Sequence, residues 1–311
     1  MDAQPPEQAT TGGDLTVGTA LRWAIPLLAA SGGDTPRLDA EVLLGHVLSL
    51  TRAQLHTHRD DPLPPDAARR YRDLVARRAH GEPVAYLVGT RAFYDLDLYV
   101  DRRVLIPRPE TEMLVEEALA WCGRADARCT RIADVGTGSG ALAVTLARHL
   151  PEARVWAVDR SPEALAVAAR NVARHGLEGR VWPVCGDLLA PLRGPFDAIV
   201  ANLPYVPSAR LPELDVGVRA YEPRTALDGG PDGLDVVRRL LPQAAERLAR
   251  PGLLLLEIDE GQGAPAADLV ARALPGARVA VRRDLAGLER MVSAEWEAPE
   301  KSARINRMER G

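Results

Sequence analysis

The sequence predicts an α/β fold: a Rossmann-like, doubly wound sheet of seven strands, preceded by a small helical bundle and a linking β-hairpin. Three observations carry this. Over residues 15–82 apolar side chains recur at i, i+3, i+4, i+7, the spacing of helices that bury one face. Over 83–106 the period changes to two. From 107 to 297 short aliphatic runs alternate with amphipathic stretches, which is how parallel βα units read, with ligands at the carboxyl ends of the strands.

Composition narrows the setting. At 311 residues the chain has the length of about two domains. It is 46% hydrophobic but only 4% aromatic, so its cores must be built from Ala, Val and Leu. No apolar run approaches the ~18 residues of a membrane span; LLLLEI at 253–258 is strand-length only. The first residues, MDAQPPEQATTGGD, lack the basic and apolar regions of a signal peptide. A cytoplasmic protein with no membrane contact is expected, acting as a monomer. Cys122, Cys129 and Cys185 form no CxxC pair and no cluster with His, so reduced thiols and no metal site are expected. The formal net charge is −4, and residues 1–100 hold ten Arg against thirteen Asp plus Glu. A surface that grips nucleic-acid phosphates is normally basic, so direct nucleic-acid binding is not expected.

Along the chain, residues 1–14 are polar and rich in Pro, Gly and Thr, and read as disordered, as does the tail 298–311. TVGTALRWAIPLLAAS, LDAEVLLGHVLSL and PDAARRYRDLVARRAHG read as helices, with Thr16, Asp39 and Pro65 as starts and Gly81 as a stop. FYDLDLYVDRRVLI supplies the hairpin. TEMLVEEALAWC, GALAVTLARHL, SPEALAVAARNVARHG and LDVVRRLLPQAAERL read as helices. RIADV, RVWAVD, RVWPVC, FDAIVAN, GLLLLEID, ARVAVRRD and ERMVSAEW read as the seven strands.

The first of these strands runs into Gly136-Thr137-Gly138-Ser139-Gly140 and then a helix. Glycine allows a tight turn and close approach of backbone to a ligand, and helix-terminal N–H groups face what sits there. The pattern is DxGxGxG, not the GxGxxG of dinucleotide sites. Asp134 places a carboxylate beside the turn, which suits a cationic amino-acid headgroup better than a pyrophosphate. Asp159, with Arg160 beside it, ends the next strand, where a carboxylate can accept bonds from a ribose diol. Asp187 and Leu188 follow the third strand, where an adenine would lie. Together these acids and glycines describe a site for S-adenosyl-L-methionine (SAM), which leaves S-adenosyl-L-homocysteine as product.

The fourth strand ends in Asn202-Leu203-Pro204-Tyr205. An amide or exocyclic amino nitrogen is a poor nucleophile because its lone pair is delocalised. A site that methylates one must hold the NH2 with two acceptors and aim the lone pair at the donor methyl. Asn202 can supply its side-chain oxygen and Leu203 its backbone carbonyl. Pro204 stiffens the loop, and the Tyr205 ring can pack on the planar group.

With these motifs in place, the sequence resembles the release factor glutamine N5-methyltransferase family (the HemK/PrmC group) from about residue 15 to 296. The resemblance also includes RLDAEVLLGHVL, GEPVAYLVGTRAFYDLDLYV, VLIPRPETEMLVE, YEPRTALDGGPDGLD and RDLAGLERMV. It implies a five-helix N-terminal domain that docks the protein substrate and a C-terminal class I SAM-dependent methyltransferase domain. The implied acceptor is the glutamine of the Gly-Gly-Gln loop of peptide-chain release factors, so the process is translation termination. By the same resemblance Gly136 to Gly140, Asp159, Asp187 and Leu188 bind SAM, and Asn202 to Tyr205 hold the glutamine. Phe93, Pro107, Arg108, Glu110 and Thr111 line the crevice; for Phe93 a hairpin core position and for Arg108 a surface ion pair are equally open readings. Two positions depart from the family pattern. Leu203 replaces the first proline of Asn-Pro-Pro-Tyr, and Leu188 stands where relatives often place an aromatic.

Three rival readings remain. An N6-adenine methyltransferase on DNA or RNA uses a similar tetrapeptide but must flip out its base and hold a charged backbone. A ribosomal-protein glutamine methyltransferase would share the chemistry. A SAM-binding chaperone or regulator without catalysis would draw only on the Leu203 departure.

Overall fold

The computed structural model describes residues 15–124 and 129–297. The expected disordered ends, 1–14 and 298–311, lie outside the described residues. The chain divides into two compact units, Met1–Gly89 with Val216–Tyr221, and Thr90–Asp215 with Glu222–Gly311.

The first unit is helical: α1 (Val17–Ala30), α2 (Pro36–Leu48), α3 (Arg52–Thr57), α4 (Pro65–Ala79) and α5 (Val84–Val88), joined by the short helix Val216–Tyr221, α9 in chain order. Thr16 caps α1 by accepting from Thr19 N, and Pro65 opens α4 as expected. Asp39 is not a helix start. The helix begins at Pro36, and the buried Asp39 carboxylate accepts from Thr35 Oγ1 (2.9 Å) and Arg78 Nε (2.7 Å). Gly81 follows the end of α4 with φ +92°, in the left-handed region that stops a helix. Leu28, Leu43, Leu44, Leu55, Tyr71 and Val75 form the core, and the Tyr71 hydroxyl donates to Ala40 O at 3.1 Å. Residues 84–88, expected in the hairpin, instead form α5. Pro83 precedes it and Gly89, at φ 72°, ends it, so it is too short for its period to register.

The second unit begins with a hairpin, β1 (Thr90–Phe93) and β2 (Leu96–Tyr99). Then follow α6 (Glu112–Cys122), β3 (Arg131–Val135), α7 (Ala141–His149), β4 (Arg154–Asp159), α8 (Pro162–Arg174), β5 (Val181–Cys185) and β6 (Phe196–Ala201). After α9 come α10 (Asp235–Arg247), β7 (Leu248–Glu257), α11 (Gly263–Ala273), β8 (Arg278–Arg283) and β9 (Glu289–Trp296). The sheet has seven strands in the order β5-β4-β3-β6-β7-β9-β8. It is not wholly parallel: β9 runs antiparallel to both β7 and β8, because a tight turn rather than a helix links β8 to β9. Helix α11 was not apparent in the sequence, since Gly263, Pro265 and a run of alanines blur its stripe.

Two apolar layers flank the sheet. One joins Leu114, Leu142, Leu146 and Val172 to the hairpin residues Phe93 and Leu98; the other joins Leu189, Leu203, Leu240 and Val270. The central strands β3 and β6 are buried on both faces, which is why they read as mainly aliphatic runs, broken only by Arg131, Asp134 and Asp197. The expectation of reduced thiols at Cys122 and Cys129 is corrected. Their sulfurs are bonded, because the end of α6 and the entry to β3 bring the two Cα atoms to 5.1 Å. Cys185 is free and exposed.

Candidate active site

The sheet order sets the chemistry side by side. Reading across the carboxyl edge from β5 to β7, the strand ends present Asp187, Asp159, the glycine turn, Asn202 and Glu257. A cavity of about 520 Å3 opens at this edge, within the range of small-ligand sites. Its walls include Gly136, Thr137, Gly138, Ser139, Asp134, Asp159, Arg160, Asp187, Leu188, Asn202, Leu203, Pro204, Thr111 and Pro107.

The turn from β3 into α7 is held from three sides. Gly136, Gly138 and Gly140 take φ of 75°, 53° and 82°, a backbone other residues rarely adopt. Gly138 N donates to Asp159 Oδ2 at 3.0 Å, and Ser161 N donates to Asp159 Oδ1 at 2.9 Å. Each carboxylate oxygen keeps a further lone pair for a diol. Asp134 has a different job from the one its position suggested. It is 1% exposed, and its Oδ2 accepts from Thr137 Oγ1 (2.6 Å) and Ala143 N (3.1 Å), so it shapes the turn. Burial raises its pKa to about 7, while those two donors pull it down. Asn171 of α8, absent from the sequence reading, is fully buried; its Nδ2 donates to Ser139 O (2.8 Å) and Tyr99 O (2.9 Å), and its Oδ1 accepts from Tyr99 N (2.7 Å).

At the far end of the cavity Asp187 pairs with Arg239 of α10, both side chains about half exposed. Leu188 is buried beside it with φ 53° and supplies an apolar wall. These residues fit a nucleoside: an acid over each strand end, a floor of Leu188, and a turn open enough for backbone contact.

Asn202 follows β6 directly. Its Nδ2 donates to Thr111 Oγ1 at 3.0 Å, which leaves the side-chain oxygen uncommitted to that bond. Residues 204–206 are clamped by the loop 227–233. Val206 N donates to Leu227 O (3.0 Å), and Gly229 N donates to Val206 O (2.9 Å). Gln262 Nε2 donates to Tyr205 O at 2.9 Å. At Gly233, with φ +79°, a Cβ would stand 2.0 Å from Tyr205 O, so only glycine permits this approach. That accounts for the ALDGGPDG segment in physical terms.

The other expected residues divide. Thr111 and Pro107 lie on the cavity wall, but Phe93, Arg108, Glu110 and Tyr205 do not. Phe93 is 1% exposed in the core of the second unit. Arg108 Nη2 donates to Glu222 Oε1 at 2.5 Å, and Glu222 Oε2 accepts from Ile106 N at 3.2 Å. Burial raises the Glu222 pKa, with the Arg108 guanidinium opposing it. The Tyr205 hydroxyl donates to Glu257 Oε1 at 3.3 Å. Burial, then the nearby Glu257 and Asp259 charges, raises its pKa above the usual phenol value.

Residues 19–89 match the PrmC N-terminal domain and residues 132–215 a methyltransferase domain. The release factor glutamine methyltransferase of Moorella thermoacetica is 50% identical over 278 residues, covering 89% of this chain and 97% of that protein. The chain belongs to the release factor glutamine methyltransferase family. A second member of the family, from Geobacter sulfurreducens, is 46% identical over 248 residues, 79% of this chain and 85% of its own. Another, from Rhodopirellula baltica, is 40% identical over 284 residues, covering 90% and 96%. Among solved structures, the release factor-specific protein-(glutamine-N5) methyltransferase of Alicyclobacillus acidocaldarius is 33% identical, covering 62% of this chain and 94% of its own, with a TM-score of 0.39. Among the described residues no helix is long and apolar enough to cross a membrane, and no group of His, Cys, Asp and Glu could hold a metal ion.

Proposed function

We propose that this chain transfers the methyl group of SAM to the side-chain N5 of the glutamine in the Gly-Gly-Gln loop of peptide-chain release factors. The observation that carries the reading is the adjacency of two strand tips: the glycine turn after β3 and Asn202 after β6 share one cavity, on strands paired in register from Ile132–Ala198 to Val135–Ala201.

SAM supplies an activated methyl on a sulfonium. The glycine turn, Asp159, Arg160, Asp187 and Leu188 would hold it. Asn202 Oδ1 and the Leu203 carbonyl then accept the two N–H groups of the acceptor amide and aim its lone pair at the methyl. The methylated nitrogen sheds a proton after transfer, so no strong base is needed. The rate comes from position and fixed dipoles. Because the second acceptor is a main-chain carbonyl, leucine at 203 is compatible with the role.

Purified release factor incubated with labelled SAM tests this. Mass spectrometry is expected to locate one added CH2 on the Gly-Gly-Gln glutamine. Label found in nucleic acid alone, or on a ribosomal protein alone, would replace the acceptor assignment. Asn202→Ala is expected to abolish transfer while SAM still binds; a variant that turned over normally would remove Asn202 from its role.

A further inference from the structure

Gln262 immediately precedes α11, and the reaction described above gives it no part. It is buried, yet every polar atom of its side chain is engaged. Nε2 donates to Tyr205 O at 2.9 Å and to Asp232 O at 3.0 Å, and Oε1 accepts from Asp259 N at 2.9 Å. The amide faces two carbonyls at one end and an N–H at the other, so a single orientation satisfies all three bonds. Among the described residues no backbone N–H donates to Tyr205 O or to Asp232 O. Burying a glutamine costs rotamer freedom and demands partners that a leucine would not need.

What it holds together accounts for it. Tyr205 O belongs to the tetrapeptide that carries Asn202 and the Leu203 carbonyl. Asp232 O belongs to the loop 227–233 beside it. The approach is close: a Cβ on Gly229 would stand 2.6 Å from Pro204 O, and one on Gly233 would stand 2.3 Å from Gln262 Nε2. Leu203 occupies a position where the family pattern has proline, so no ring fixes its φ. The direction of its carbonyl then depends on the peptide planes that follow, and these are held from outside the tetrapeptide. Val206 is tied by backbone bonds to Leu227 and Gly229, and the carbonyl of Tyr205 is tied by Gln262.

We infer that Gln262 is a positioning residue for methyl transfer: by giving one N–H to each of two facing loops, it fixes the acceptor tetrapeptide so that Asn202 and the Leu203 carbonyl keep their aim. This rests on the reading of Asn202 and Leu203 given above. Gln262 is not on the cavity wall and acts only through the backbone it holds.

The test is Gln262→Met in the full chain, which keeps length and removes the donors. With saturating SAM and purified release factor, kcat is expected to fall about tenfold or more, because small displacements of a reacting group are costly. SAM affinity is expected to stay within about twofold. A purely structural role would lower the melting temperature and leave kcat of the folded enzyme within about threefold; that result overturns the inference, provided Asn202→Ala is inactive. An active Asn202→Ala would overturn the acceptor reading and this inference with it. Should Gln262→Met not fold, Gln262→Glu decides. A glutamate can donate to a carbonyl only when protonated, so its kcat, taken as a ratio to wild type, is expected to rise as pH falls from about 9 to about 6. The charges around the position are Asp232 with Arg238, Asp259 with Arg210, and Glu289 with Arg283. They are common to both proteins and cancel in the ratio. A ratio independent of pH would overturn the inference.

Discussion

Leu203 Cδ2 lies 3.1 Å from the point where a Cβ on Gly136 would stand. The residue that departs from the family tetrapeptide therefore packs on the first glycine of the β3–α7 turn, and the two halves of the site share a contact. A change on one side reaches the other.

Gly136→Ala follows from this. At φ +75° an L side chain is strained, at ~1–3 kcal/mol, and the new methyl presses on Leu203. We expect SAM affinity to fall about tenfold or more and kcat to fall with it. Gly176→Ala, at φ +64° with nothing within 4 Å, is the control for strain alone. Titration calorimetry on both variants separates the effects; equal SAM affinities would show that the Leu203 contact is immaterial.

Asn171→Ala removes a side chain that is 0% exposed and bonded to Tyr99 N, Tyr99 O and Ser139 O. Stranding those buried groups is expected to destabilise the protein by ~2–4 kcal/mol. Because one bond steadies the glycine turn, SAM binding should weaken too. Denaturant unfolding with and without SAM measures both.

Arg108→Ala breaks the ion pair with Glu222. The Glu222 side chain is 1% exposed while that of Arg108 is 30% exposed, so the loss leaves a buried carboxyl without its cation. A stability loss of ~2–4 kcal/mol is expected, partly recovered in Arg108→Ala/Glu222→Gln. A normally stable Arg108→Ala with a raised KM for the release factor would return Arg108 to the binding surface.

Glu257 makes stability depend on pH in a definite sense. Burial raises its pKa from 4.5 to about 7, with the Glu110 charge adding and Thr111, Tyr205 and Arg290 opposing. Between those values the folded protein holds a proton that the unfolded chain has released, so stability falls as pH rises across the window. Relative to Glu257→Gln, the wild-type protein is expected to lose stability from pH 4.5 to about 7 and to change little below it. Paired melting curves across that range check the slope, and parallel curves would contradict it.

The strand tips were legible because buried parallel strands write themselves as aliphatic runs and because glycines and acids at their ends are rare enough to stand out. RIADV, RVWAVD and FDAIVAN gave their positions and with them Gly136, Asp159 and Asn202. What was hidden is longer in range. Phe93 and Arg108 sit in matching motifs, yet their surroundings come from α6, α7 and residue 222, which no local pattern names. Asn171 lies inside an amphipathic helix, where a polar residue reads as solvent-facing. Glu257 did carry a signal, an acid closing the run LLLLE, but its burial against Tyr205 depends on a loop that arrives from elsewhere. The reversed strand β9 was legible as a strand and not as to direction.

That reversal governs the order in which the molecule can be completed. Strand β9 lies between β7 and β8, so Leu255 and Glu257 pair with Ser293 and Met291, residues made long after them. One edge of β7 pairs with β6, and its other edge is covered only by the segment Glu289–Trp296. Shortening the chain before Glu289 would leave the unfinished edge exposed, a form prone to strand exchange and clumping.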